Sequence, residues 1–124
     1  MKNTVSPRLL VVEDDIMSYK LIQAHMRKTR YELIHAKNGL EAVEFHSKEQ
    51  PIDAIIMDLQ LPGMNGLDAT KQIRKADNEV LIIAATANVS ADDKIACAEA
   101  GCSYHLHKPI NFPALLNLLN KHIS

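Results

Sequence analysis

Five side chains with chemistry to offer stand just past short apolar runs: Glu13 and Asp14 after "LLVV", Asp58 after "DAIIM", Thr86 after "VLIIAA" and Lys108 after "YHLH". If those runs are strands whose ends share one edge of a sheet, all five converge. Like charges about 4 Å apart repel by about 4 kcal/mol per pair at an effective dielectric near 20, so three carboxylates brought together are costly when empty. A bound cation relieves that cost. Carboxylate and carbonyl oxygens are hard donors that select magnesium or manganese, and a site with few protein ligands leaves positions for water and a phosphoryl oxygen. The acids are therefore read as a divalent-cation seat.

The elements that must position these residues are legible in the pattern. The runs at 9–12, 53–57 and 80–85 are continuous rather than alternating, as expected of strands covered on both faces, and runs at 31–36 and 104–107 complete a set of five. Between them lie segments of helical periodicity, several opened by a cap with an acid three residues on: Asn38 with Glu41, Asn65 with Asp68, Ser90 with Asp93. Asp15 is assigned as cap of the first helix and Asn111 of the last. Met17, Leu21, Ile22 and Met26 are read as the apolar stripe of the first helix, and Leu115, Leu116, Leu119 and Ile123 as that of the last. Gly101 reads as a helix stop and "LPGMNG", residues 61–66, as a loop. Alternating strand and helix with right-handed crossovers gives an α/β fold: a flavodoxin-like (βα)5, doubly wound parallel sheet of order 2-1-3-4-5. Ligands of such sheets sit at the carboxyl ends of the strands near the switch in order, here strands one and three. That is where "EDD" emerges.

Composition limits the function classes. The 124 residues are 47% hydrophobic and 23% charged with a formal net charge of −1, so there is no basic field for direct nucleic-acid binding. No apolar stretch approaches a membrane span, and the polar start "MKNTVSP" has no signal-peptide core. A single domain over 1–124 in the cytoplasm is expected. Cys97 and Cys102 have neither CxxC spacing nor a disulfide-rich pattern and read as small buried or half-buried thiols in a reducing compartment.

In "LLVVEDD", "DAIIMDLQLPGMNGLDATKQIR", "IIAATAN" and "AGCSYHLHKPI" the chain resembles the receiver domain of two-component response regulators, over almost its whole length. The resemblance implies that Asp58 accepts a phosphoryl group from a phosphohistidine. It also implies that Glu13, Asp14, Asp58 and the Gln60 backbone carbonyl hold Mg2+ (or Mn2+). Thr86 matches the hydroxyl residue that follows the phosphoryl group, and Lys108 the cation that pairs with its oxygens. The Lys108–Pro109 bond resembles the family's cis peptide. Phosphoryl transfer is governed by in-line positioning and charge stabilisation, so little further covalent chemistry is required. About two added negative charges are enough to draw Thr86 and Lys108 inward and reorganise the loop 86–90. Implied partners are a sensor histidine kinase or histidine phosphotransfer protein and a downstream target protein met at the α4–β5–α5 face. Gln60 and Asn88 match positions that tune the lifetime of the acyl phosphate. The reading is a signalling phosphoacceptor rather than an enzyme.

Competing readings leave other traces. A magnesium phosphohydrolase with an aspartyl nucleophile needs an acid two residues after it, where this chain has Gln60. A mononucleotide binder needs a glycine- and hydroxyl-rich loop after the first strand, which here is acidic. A non-phosphorylated pseudo-receiver usually lacks the acceptor, an acid or the lysine, and none is missing. His105-x-His107 lacks third and fourth ligands for zinc. His25 and His46 read as hydrogen-bonded boundary residues, and His35 and His122 carry no signal. His105 occupies the position where such receivers carry a switching Tyr or Phe, and imidazole at that place would add sensitivity near neutral pH. The chain runs to "NKHIS" after the fifth helix, so action through contacts, without an attached output domain, is expected; a domain cut from a hybrid kinase is the other option.

Overall fold

A computed structural model describes residues 6–87 and 90–123. Asn88, with its assignment as a lifetime tuner, lies outside the described residues, as do the middle of the loop 86–90 and most of "MKNTVSP". The chain alternates strand and helix throughout: β1 Arg8–Val12, α1 Ile16–Met26, β2 Glu32–Ala36, α2 Gly39–Lys48, β3 Ala54–Asp58, α3 Gly66–Ala76, β4 Leu81–Thr86, α4 Ala91–Ala100, β5 Tyr104–His107 and α5 Phe112–His122. All neighbours pair in parallel, in the order β2-β1-β3-β4-β5 that the sequence predicts.

The continuous apolar runs follow from the two-sided sheet. Successive strand residues face opposite sides, so Leu9, Val11 and Ile56 pack with Tyr19, Ile22, Phe112 and Leu115 on one side, while Leu10, Val12 and Ile55 pack with Ala42, Ala69 and Ile73 on the other. Every predicted cap forms. Asp15, Asn38, Asn65, Ser90 and Asn111 each accept a hydrogen bond from the backbone N–H three residues on. Only Ser90 and Asp93 close a reciprocal box; Glu41 reaches past its cap to the Lys37 N–H instead, at 2.7 Å.

The apolar stripe assigned to α1 is corrected. Met17 and Leu21 are 68% and 53% exposed, and the buried face is Tyr19, Ile22 and Met26. At about 100° per residue, Met17 and Leu21 lie 100° or more around the helix from Ile22, so the four cannot share one face. His25 is corrected as well: it stacks on Phe112 with ring centroids 3.8 Å apart. Beside the predicted cis Lys108–Pro109 bond, Gln50–Pro51 is also cis.

His46, buried at the end of α2, lies with Nε2 3.0 Å from Asp77 Oδ2, and Asp77 also accepts from the Glu79 and Val80 N–H groups. Burial alone would raise the Asp77 carboxyl, but the hydrogen bonds from His46 and the two amides outweigh it and hold it below its ordinary value. A depressed folded-state value contributes stability that is present above the unfolded range near pH 4 and lost as pH falls through the folded one. Asp77→Ala is therefore expected to lower the unfolding free energy by about 1–3 kcal/mol at neutral pH. Urea titrations across pH should show the gap narrowing below about pH 4. A gap that persists undiminished in acid would assign the loss to packing.

Candidate functional site

The parallel register brings the carboxyl ends of β1 and β3 side by side, with Val12 paired to Met57, so the next residue of each strand is an acid. Glu13 is 3% and Asp58 6% exposed, whereas Asp14 is exposed. One ligand oxygen from each of Glu13, Asp14 and Asp58 lies within 4.8 Å of the others, the single grouping of three or more potential metal-ligating side chains among the described residues. Lys108 arrives from the end of β5. Its Nζ lies 2.8 Å from Glu13 Oε1 and 3.3 Å from Asp58 Oδ2, and its backbone N–H donates to the Thr86 carbonyl at 2.9 Å.

Electrostatics follow from this crowding. Burial, aided by the charge of Asp58, raises the Glu13 carboxyl above its ordinary value, against the hydrogen bonds from Lys108 and the Asp15 N–H. Burial opposes the Lys108 ammonium, but the Glu13 hydrogen bond and the charge of Asp58 outweigh it and raise its pKa. Three carboxylates and one lysine leave two negative charges uncompensated on a donor set made only of hard oxygens. That set fits a divalent magnesium ion.

Of the residues named from sequence, Glu13, Asp14, Asp58 and Lys108 are brought together. Thr86 is buried at the end of β4, one residue past the Ala85 that pairs with Asp58. Gln60 meets Asp58 through its backbone N–H, which donates to Oδ1 at 3.0 Å. His105 is half-buried; its Nε2 is buried with no hydrogen-bond partner among the described residues, and burial, then the charge of Lys94, lower its pKa.

Two neighbours of the site escaped the sequence reading. His35 stacks flat on Tyr19, with centroids 3.7 Å apart, and its Nε2 lies 2.8 Å from the Glu13 carbonyl oxygen, which orients the backbone at the exit of β1. Gly66 opens α3 against the backbone of Asp58: a Cβ there would collide with the Asp58 carbonyl oxygen. A groove of about 370 Å³ adjoins the acids, lined by Glu13, Leu21, Ile22, Lys108, Ile110 and Phe112.

Comparison with known proteins bears on the whole chain. A model of the response regulator receiver domain matches residues 9–120. The polar-differentiation response regulator DivK of Brucella anthropi is 32% identical over 118 residues, covering 94% of this chain and 95% of that protein. The chain spans only 5% to 7% of several histidine kinases it matches, among them histidine protein kinase 1 of Candida albicans at 34% identity. Among solved structures, the receiver domain of sensor histidine kinase PA1611 from Pseudomonas aeruginosa, with a magnesium ion coordinated in its active site cleft, superposes with TM-score 0.86 at 34% identity, covering 95% of this chain and 98% of that one. The receiver domain of Ssk1 in complex with the histidine phosphotransfer protein Ypd1 from Saccharomyces cerevisiae gives 0.86 and 34%, covering 98% and 91%.

Proposed function

The chain belongs to the response regulator receiver family of two-component signalling, and from that premise we propose that Asp58 is its phosphoacceptor, with Glu13, Asp14, Asp58 and the Gln60 carbonyl holding magnesium or manganese. The observation that carries this reading is the meeting of three carboxylates, two of them buried, with one lysine bridging Glu13 and Asp58. When bound, the metal neutralises charge on the transferring phosphoryl group. The chain's own residues do the rest. An Asp58 carboxylate oxygen attacks phosphorus in line, the new O–P bond forms as the P–N bond to the donor imidazole breaks, and the leaving nitrogen keeps the electron pair. The Gln60 N–H fixes the attacking carboxylate, while Lys108 moves from Glu13 toward the new phosphoryl oxygens and Thr86 contributes its hydroxyl.

The donor is a sensor histidine kinase or a histidine phosphotransfer protein. Exposed Leu21 of α1 lines the groove, and exposed Ile16 and Met17 lie on the same helix, an apolar surface that suits such a partner. Residues 1–124 act as one cytoplasmic receiver unit with no turnover of free substrate, and the output is a change of affinity for a target protein at the α4–β5–α5 face. Half-buried His105 on β5 serves as the switching ring, its Nε2 without a hydrogen-bond partner among the described residues.

Incubation with acetyl phosphate and magnesium, read by intact mass, is expected to add one phosphoryl group to the wild type and none to Asp58→Ala. In the same phosphorylated sample the His105 ring resonances should move. Addition that survives the substitution, or none in either protein at saturating donor, overturns the phosphoacceptor and leaves an interaction module. A ring that stays put removes His105 from the switch.

A further inference from the structure

Cys97 and Cys102 are five residues apart, a spacing that carries no redox motif, yet the end of α4 folds them together. Gly101 adopts φ 110°, the left-handed conformation, its N–H bonds to the Ala98 carbonyl at 3.1 Å, and the Cys102 N–H bonds to the Cys97 carbonyl at 3.1 Å. This pair of hydrogen bonds is the Schellman helix ending, and the side chains of Cys97 and Cys102 are in hydrogen-bond contact there. With standard bond lengths, a 3.1 Å bond between their backbones limits the Cα–Cα distance to about 7 Å, within reach of a disulfide.

We propose that Cys97 and Cys102 are a reversible dithiol–disulfide pair, closed by a peroxide at the junction of α4 and β5. The surroundings differentiate the two sulfurs. Cys97 is 1% exposed, while Cys102 is half-buried. Arg74 packs over Gly101, with Nε donating to its carbonyl at 2.8 Å, and sets a guanidinium beside Cys102. A hydrogen bond from the Cys97 thiol, with help from the Thr70 hydroxyl and the Arg74 charge, lowers the Cys102 thiol, whereas the same contact and burial raise Cys97. Cys102 is thus the more acidic, attacking sulfur and Cys97 the resolving thiol.

In the first step the Cys102 sulfur attacks a peroxide oxygen; the O–O bond breaks, leaving a sulfenic acid, and the departing hydroxide takes up the thiol's proton as water. In the second, the Cys97 sulfur attacks that sulfenic sulfur, the S–O bond breaks, and hydroxide leaves with the Cys97 proton as a second water. Two thiols and one hydrogen peroxide give one disulfide and two waters.

The test is treatment of the purified protein, without phosphodonor, with one equivalent of hydrogen peroxide. The wild type is expected to lose the mass of two hydrogens, to resist alkylation at both cysteines, and to recover both thiols with dithiothreitol. Cys97→Ser should stop at a sulfenic acid on Cys102 that dimedone traps, and Cys102→Ser should leave Cys97 reduced. Sulfinic acid on wild-type Cys102 without a cross-link, intermolecular dimers in its place, or no oxidation at all overturns the proposal. The decisive readout is made on the unsubstituted chain, so a variant that fails to fold does not obscure it.

Discussion

Lys108→Ala is expected to destabilise the metal-free protein by about 3–5 kcal/mol, and magnesium is expected to restore most of the loss. The side chains of Glu13 and Asp58 are only 4% and 8% exposed, and the Lys108 ammonium is the cation that bridges them. Removing it leaves two buried carboxylates facing each other with no neutralising partner, the situation in which breaking an ion pair costs most. The same vacancy favours a divalent ion, which no longer competes with a fixed positive charge, so magnesium should bind the variant at least about tenfold more tightly than wild type. Thermal melts in chelator and in magnesium read both effects. Equal stability of variant and wild type in chelator would show that the acids do not depend on the lysine. Tighter magnesium binding by wild type would show that the ammonium organises the site rather than competing within it.

Gly66→Val is expected to remove phosphoryl acceptance from acetyl phosphate and to cost more than about 3 kcal/mol of stability. A Cβ at this position meets the Asp58 carbonyl oxygen, with the Leu59 Cα at 2.7 Å and the Asp58 carbonyl carbon at 3.0 Å. These are backbone atoms, so no side-chain rotation relieves the clash. Either the start of α3 lifts away or the end of β3 shifts, and both displace the Asp58 carboxylate from Glu13 and Lys108. Gly66→Ala should act in the same direction. A Gly66→Val protein that takes up phosphate at the wild-type level would show that Asp58 is held by the sheet alone.

The strands and caps were readable because each rests on a short-range rule. A continuous apolar run marks a covered strand, as at 9–12, 53–57 and 80–85, and Asp15, Asn38, Asn65, Ser90 and Asn111 sit one residue before their helices. The acidic cluster was readable for the same reason, since parallel pairing aligns the strand ends. What was not readable depends on rotation and long-range approach. The face that α1 buries is set by where Tyr19 stacks against His35, and an aromatic ring with a polar tip carries no apolar flag in a pattern of Met, Leu and Ile. The link from His35 to the Glu13 carbonyl spans 22 residues and joins adjacent strands through one ring nitrogen, which no spacing rule encodes. Gly66 looked like one of two loop glycines. Its approach to the Asp58 backbone separates it from Gly63, which adopts φ 70° and whose added Cβ would meet nothing within 4 Å.

The ammonium that steadies Glu13 is contributed 95 residues later in the chain, by the edge strand that the first three strands can pair without. A nascent polypeptide emerging in order therefore assembles its acids long before their counter-charge exists. Until the fifth strand docks, mutual repulsion among those acids works against the half-built sheet. Completion of the edge is thus coupled electrostatically to its centre.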